Sequence, residues 1–173
     1  MERALLQSLS AYNANANRVA LTALAEFDPA ALREELPIRE SLFGLARHML
    51  EAEGFFLANV SGAGVPADWR PLETVELLLE ANERIAAGRA AYLAECAAEA
   101  LAETLTVTLG PGPVTLSRWQ FLLQSLMHSA QHRGELSALL TERGRPLPLE
   151  DYIIHAVEER GDRWPFREEP AAD

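Results

Sequence analysis

Long stretches with apolar residues at helical spacing occupy most of this 173-residue chain. Apolar residues that recur every three or four positions line one face of an α-helix, whereas a half-buried strand shows a period of two. Ala and Leu dominate the composition, and β-branched residues cluster only near Val107 and Val114, which favours an all-α fold. The pattern predicts four long helices, at about 3–27, 38–59, 72–98 and 118–142.

Shorter elements are predicted between and after these helices. Asp28-Pro29 favours a short helical turn through about Glu35. Residues 104–109 alternate polar and apolar, and 114–116 follow a Gly-Pro-Gly-Pro sequence, which predicts a small β-hairpin between helices three and four. Ser117 is a candidate N-cap of the fourth helix. The prediction is a single-domain four-helix bundle that carries this hairpin.

The chain is expected to end in a short segment and a tail. Gly144 and Pro146 are typical of a helix end and are predicted to terminate the fourth helix. A short segment follows at 151–159, and a loose acidic tail extends from about residue 161 to residue 173.

Charge and composition exclude several classes of function. The formal net charge is −11, and all 15 basic residues are Arg, so no basic surface suited to nucleic acid is expected. No run approaches the ~20 apolar residues of a membrane span. The start of the chain lacks a charged-then-apolar signal pattern, and Cys96 is the single cysteine. We therefore expect a cytoplasmic protein that binds a small-molecule substrate.

Three histidines form a candidate metal site. His128 and His132 lie four residues apart on the predicted fourth helix, so both imidazoles share one helix face and can chelate one divalent ion. His48 lies beside the apolar stripe of the second helix. If the two helices are neighbours, the three imidazoles can converge and leave open coordination positions, as in catalytic metal sites.

Other interpretations of these residues stay open. The histidines can be ordinary side chains that form hydrogen bonds near the core. Glu51 and Glu53 follow His48, and we interpret them as solvated helix charges, with orientation of a ligand imidazole as the alternative. Gly134 lies inside a helix at a cost of about 1 kcal/mol relative to Ala, and we expect a close helix–helix approach there.

The histidine motif resembles a known family signature. Residues 128–136, HSAQHRGEL, are similar to the signature of the DinB/YfiT-like superfamily, in which a His is followed three residues later by His-Arg-Gly and a polar–apolar pair. Residues 38–53 resemble the family's second helix, which carries the first metal ligand. The predicted hairpin and the segment 144–152 also fit. The resemblance covers nearly the whole chain, and only the three-His pattern is specific.

The resemblance implies a fold, a metal and a class of reaction. It implies a four-helix bundle, often a homodimer, in which His48, His128 and His132 hold a divalent ion. Imidazole suits several metals, and we expect Zn or Ni. Characterised members resemble transferases or isomerases that use a low-molecular-weight thiol such as mycothiol, bacillithiol or glutathione. Arg133 is a candidate for binding a carboxylate of that thiol cosubstrate, or else an ion-pair partner.

The functional prediction is a divalent-metal-dependent enzyme of the thiol S-transferase type. Two alternatives remain at the level of sequence. One is a metal-binding, stress-related protein without catalytic turnover, and the other is a dimeric helical bundle whose histidine site is unoccupied.

Overall fold

The computed structural model describes residues 2–36, 41–64, 71–110 and 112–165. Four long helices, α1, α3, α4 and α5, form a bundle, and an antiparallel hairpin lies between α4 and α5. The elements are α1 (Glu2–Leu24), α2 (Pro29–Leu32), α3 (Leu42–Ser61), α4 (Val75–Glu95), a 3-10 turn (Glu99–Ala102), β1 (Thr104–Leu109), β2 (Gly112–Ser117), α5 (Arg118–Glu142) and α6 (Tyr152–Glu159). The predicted all-α four-helix bundle with an inserted hairpin is confirmed.

Side-chain caps set the starts of two bundle helices later than the apolar pattern predicts. The Ser41 hydroxyl accepts a hydrogen bond from the Gly44 amide, and α3 begins at the next residue. The Thr74 hydroxyl accepts from the Leu77 amide, and α4 begins after it. Apolar periodicity continues into the flanking turns, so it cannot locate these ends. The predicted start of helix two at 38 lies outside the described residues.

The apolar pattern also places the ends of two helices too late in the chain. α1 ends at Leu24 and α4 at Glu95, each three residues before the predicted end. α5 ends as predicted, with Gly144 in the left-handed region at a φ of 73°, where glycine is the favoured residue. Of the predicted tail, residues 166–173 lie outside the described part.

No helix in the described ranges is both long and apolar enough to span a membrane.

The hairpin has a longer second strand than the sequence predicts. β1 and β2 pair over their full lengths, with Thr104 opposite Ser117 and Leu109 opposite Gly112. Gln120 then accepts hydrogen bonds at its side-chain oxygen from both the amide and the hydroxyl of Ser117. Ser117 is thus the N-cap residue of α5, as predicted, and as the last residue of β2 it joins the hairpin directly to the helix.

The core of the bundle consists of two apolar clusters at different heights along the helices. The loop-end cluster contains residues such as Leu24, Met49, Ile85 and Leu136. The hairpin-end cluster contains Leu6, Phe56, Leu93, Phe121 and the hairpin residue Val107. On each long helix a stretch of chain separates the two sets, from six residues on α3 (Leu50 to Phe56) to fifteen on α1 (Leu6 to Leu21). In or directly beside this interval lie seven buried polar residues that form one hydrogen-bonded network, which we call the polar layer: Asn13, Asn17, Glu53, Arg89, Ser125, Ser129 and Arg133.

Glu53 is the centre of the polar layer, which corrects its interpretation as a solvated charge. Its side chain is about 2% exposed, and one carboxylate oxygen accepts from Arg89 at 2.5 Å. The other oxygen accepts hydrogen bonds at 2.5–2.9 Å from Ser129, Asn13 and Asn17. Glu51, two residues earlier, is exposed and pairs with Arg47 as expected of a surface charge. The two carboxylates differ because only Glu53 faces the bundle interior.

The surroundings of Glu53 favour its charged form. Burial by itself raises the pKa of this carboxyl, but the charge of Arg89 and the hydrogen bonds to the carboxylate outweigh burial. The net effect is a pKa below the ordinary value of 4.5. Ionised Glu53 therefore contributes to the stability of the folded state.

Removal of the Arg89 charge tests the buried pair. We expect Arg89→Met to lower the free energy of unfolding by about 3–5 kcal/mol, because it leaves Glu53 as an uncompensated buried charge. The double variant Glu53→Gln/Arg89→Met should lose less stability than Arg89→Met, because Gln retains an oxygen acceptor without the charge. Urea denaturation at neutral pH measures both. The control is Arg84→Met, at an exposed position of the same helix, with an expected change below about 0.5 kcal/mol. Equal losses for Arg89→Met and Arg84→Met would contradict the assignment.

The lowered pKa of Glu53 predicts a specific loss of stability in acid. The unfolded carboxyl titrates near its ordinary value of 4.5 and the folded one below it, so the stabilisation is present above pH 4.5. It is lost as the pH falls through the pKa of the folded state. Unfolding free energies measured between pH 7 and pH 3 should decrease more steeply for the wild type than for Glu53→Gln/Arg89→Met. Parallel curves for the two proteins would exclude this role for Glu53.

Candidate metal centre

The structure brings the three predicted histidines together on neighbouring helices. His48 lies on α3, and His128 and His132 lie on α5. The Nε2 atoms of His48 and His128 are 3.2 Å apart. One ring nitrogen from each of the three residues lies within 4.8 Å of the others. The predicted convergence of three imidazoles is therefore present in the folded chain.

Antiparallel packing of α3 and α5 produces this convergence. Arg118, at the start of α5, donates a hydrogen bond to the carbonyl of Val60 near the end of α3. His128, farther along α5, contacts His48 nearer the start of α3. The i, i+4 spacing then places His132 on the same face as His128, with ring centroids 4.3 Å apart. A local sequence pattern and one helix contact together define the cluster.

His132 is the buried member of the cluster and has one unpartnered nitrogen. Its side chain is 3% exposed, and its Nδ1 lies 2.9 Å from a carboxylate oxygen of Glu135. With Nδ1 bonded to that carboxylate, Nε2 is the remaining nitrogen. This Nε2 is buried and has no hydrogen-bond partner among the described residues. An unsatisfied buried acceptor is costly, so the site is suited to a group that binds an imidazole lone pair.

The geometry of the cluster fits a divalent ion. Bonds of about 2.0–2.1 Å from a tetrahedral ion to imidazole place the ligand nitrogens roughly 3.3 Å apart. The Nε2 atoms of His48 and His128 already have nearly this separation, at 3.2 Å. Burial decreases from His132 through His128 to the exposed His48, so one side of the cluster faces solvent. The residues present can hold a metal and leave a side open for a further ligand.

The protonation state of His128 also suits ligation. Burial lowers the pKa of His128 below its ordinary value, and the neighbouring imidazoles of His132 and His48 lower it further. A lower pKa keeps this imidazole neutral at neutral pH, which is the form that donates a lone pair to a metal.

Arg133, the predicted cosubstrate ligand, points away from the cluster. Its guanidinium donates hydrogen bonds to the side-chain oxygens of Asn13 at 2.5 Å and Asn17 at 2.7 Å. It also lies over the ring of Tyr12, 5.5 Å from the centroid. Arg133 therefore belongs to the polar layer and links α5 to α1. Its role toward a thiol cosubstrate stays a prediction.

The histidine cluster lies apart from two cavities between the described helices. A cavity of about 390 Å³ between α3 and α4 is lined by residues such as Leu57, Gly88 and Tyr92. A second one, of about 510 Å³ between α1 and α4, is lined mainly by alanines. Neither lining includes His48, His128 or His132. A ligand of the cluster would therefore approach from the solvent side next to His48.

Comparison with known proteins gives the family and the fold of this chain. The family model described as the DinB family matches residues 1–162. The chain belongs to the DinB family. Its structure is similar to the crystal structure of a DinB-like protein from Bacillus subtilis, with a TM-score of 0.64 and 16% sequence identity over 85% of this chain and 97% of that one. At this identity the likeness shows the DinB-like fold alone. A search of curated proteins finds no match.

The sequence predictions include neither Glu135 beside His132 nor the buried pair of Arg89 and Glu53. Glu135 is three residues after His132 on α5, so helical spacing alone places it on the same side of the helix and could have identified it. Arg89 follows Ile85 by four residues in the apolar stripe of α4, and a charge at such a position indicates a buried partner. The identity of that partner, Glu53, depends on how the helices pack.

Proposed function

We propose that this DinB-family protein binds one divalent ion, Zn or Ni, through His48, His128 and His132, and that it transfers a small thiol to an electrophilic substrate. The observation that carries the proposal is the buried, unpartnered Nε2 of His132 beside two further imidazoles. A lone pair in this position is costly in a protein without a bound ion. Three protein ligands are also the number typical of catalytic zinc sites.

The charges around the cluster favour an anionic ligand. The three imidazoles are neutral when they ligate, so they do not compensate the two positive charges of an ion. The nearby polar layer contains one acidic residue, Glu53, and two basic ones, Arg89 and Arg133. Glu135 supplies one negative charge at His132. The charges of these four residues cancel, so the two positive charges of an ion remain, and a thiolate in the open position would offset one of them, which supports a thiol as the cosubstrate.

Access to the cluster supports a small-molecule substrate. His48 is exposed, and Met127, the residue before His128, is 61% exposed. Phe55 follows His48 by seven residues on the same α3 face and is 38% exposed. A divalent ion in the cluster would supply Lewis acidity, which lowers the pKa of a thiol beside it. The chain's part is to hold the ligand nitrogens, keep His128 neutral and present apolar surface to the substrate.

Three further expectations accompany this function as predictions. We retain the homodimer, the cytoplasmic location and the contact between Arg133 and a thiol cosubstrate from the sequence analysis. The candidate surface for the homodimer contains large apolar residues that are more than half exposed, Leu5, Leu149 and Ile153.

Metal content tests the site. Untagged protein incubated with Zn²⁺ or Ni²⁺ and then desalted should contain about one ion per chain by elemental mass spectrometry. His128→Ala and His132→Ala should lose it, because two imidazoles hold an ion far less tightly than three. The matched control is His155→Ala, which removes the one histidine outside the cluster and should retain the metal. Equal metal content in all four proteins, or none in the wild type, would refute the proposed centre.

A thiol titration tests the reaction class. Protein loaded with Co²⁺ should develop a sulfur-to-cobalt charge-transfer absorption band when glutathione, bacillithiol or mycothiol is added, because the open position accepts a thiolate. The same thiol should then be consumed with an electrophile by the Zn²⁺ or Ni²⁺ protein and not after chelation. Stoichiometric metal without the absorption band or thiol consumption would favour the non-catalytic metal-binding alternative.

A further inference from the structure

The three imidazoles of the cluster differ in what their second nitrogen contacts. His132 Nδ1 lies 2.9 Å from the Glu135 carboxylate. In the described part of the chain, His48 and His128 contact each other through Nε2 and have no carboxylate hydrogen bond. His132 is also the most buried of the three. One member of the cluster is thus held by an acidic side chain, and the other two are not.

The contact with Glu135 determines which tautomer His132 adopts. A neutral imidazole carries its proton on one nitrogen, and a carboxylate accepts a hydrogen bond only from a protonated nitrogen. The contact therefore requires the proton on Nδ1 and leaves the lone pair on Nε2. The opposite tautomer would place an Nδ1 lone pair against the carboxylate and a buried Nε2–H without an acceptor. Both effects disfavour it.

The position of Glu135 is itself supported by its neighbours on α5. Gln131 donates from its side-chain amide to the other carboxylate oxygen of Glu135, at 3.4 Å. Glu135 follows Gln131 by four residues and His132 by three, so all three side chains lie over the same turn. The side chain of Glu135 is only 28% exposed. The carboxylate is thus held beside the imidazole before any ion binds.

We propose that Glu135 is a positioning residue that holds His132 in the Nδ1–H tautomer and makes its Nε2 the preformed first ligand of the cluster. His48 and His128, which have no such partner among the described residues, complete the site around it. The consequence for metal affinity rests on the proposed metal centre. The effect on the tautomer does not, because it follows from the geometry of the protein alone.

Nitrogen-15 NMR of the metal-free protein tests the tautomer directly. Long-range imidazole correlations distinguish a protonated Nδ1 from a protonated Nε2. We expect the Nδ1–H form of His132 in the wild type and a shift toward the Nε2–H form in Glu135→Ala. Glu135→Gln should retain the Nδ1–H form, because the amide oxygen still accepts the hydrogen bond. The same tautomer of His132 in the wild type and in Glu135→Ala would overturn the proposal.

Metal affinity, measured by competition with a chromogenic chelator, provides the second readout. We expect Glu135→Ala to bind Zn²⁺ about 10–100-fold more weakly, the usual effect of removing a partner of a metal-ligating histidine, and Glu135→Gln to lose less. The matched control is Glu51→Ala, because Glu51 follows His48 by three residues but pairs with Arg47 at 3.8 Å. It should bind Zn²⁺ with wild-type affinity.

The outcomes separate this proposal from the proposed function. Equal weakening in Glu51→Ala and Glu135→Ala would indicate a general charge effect and overturn the positioning role. If the wild type binds no metal and yet the tautomer changes in Glu135→Ala, the positioning role stands and the metal-dependent function fails. Thermal denaturation of each variant verifies that the comparison is made between folded proteins.

Discussion

One buried carboxylate connects the four long helices of this protein. Glu53 of α3 accepts hydrogen bonds from α1, α4 and α5, and it is the point that all four helices share. A buried charge is tolerated only when it is paired and hydrogen-bonded. Rotation of any one helix would remove a donor, whereas the apolar contacts in the two clusters are not directional. The polar layer therefore determines how the helices face one another more strictly than the apolar clusters can.

The candidate metal centre depends on this orientation. On α5, Ser129 and Arg133 face the polar layer, and each directly follows a histidine of the cluster. Successive residues of a helix point about 100° apart. The same rotation of α5 that directs Ser129 to Glu53 therefore directs His128 toward α3 and His48. The hydrogen bonds to Glu53 and the convergence of the three imidazoles both result from one packing arrangement of α3 and α5.

The sequence predicts features that depend on local spacing and misses those that depend on packing. The apolar period and the pair His128 and His132 lie within single helices, so both are visible in the sequence. The burial of Glu53 is not, since its partners lie 36 to 76 residues away. Which glycine allows a close approach of two helices also depends on packing. Gly134 has nothing within 4 Å of the position of a Cβ, so the expected close approach is wrong there. Gly88 instead provides one, because a Cβ would lie 3.2 Å from Leu57.

The unequal burial of the three histidines gives the cluster a direction. His132 lies inside the bundle and is bonded to Glu135, while His48 lies at the surface. An ion that bound here would contact the most buried ligand on its inner side and the most exposed one on its outer side. Ligand exchange requires room on one side of an ion, and only the outer side offers it. A catalytic site needs this asymmetry, and a closed structural site, with ligands on all sides, does not. The order of burial along the three histidines thus supports an open centre.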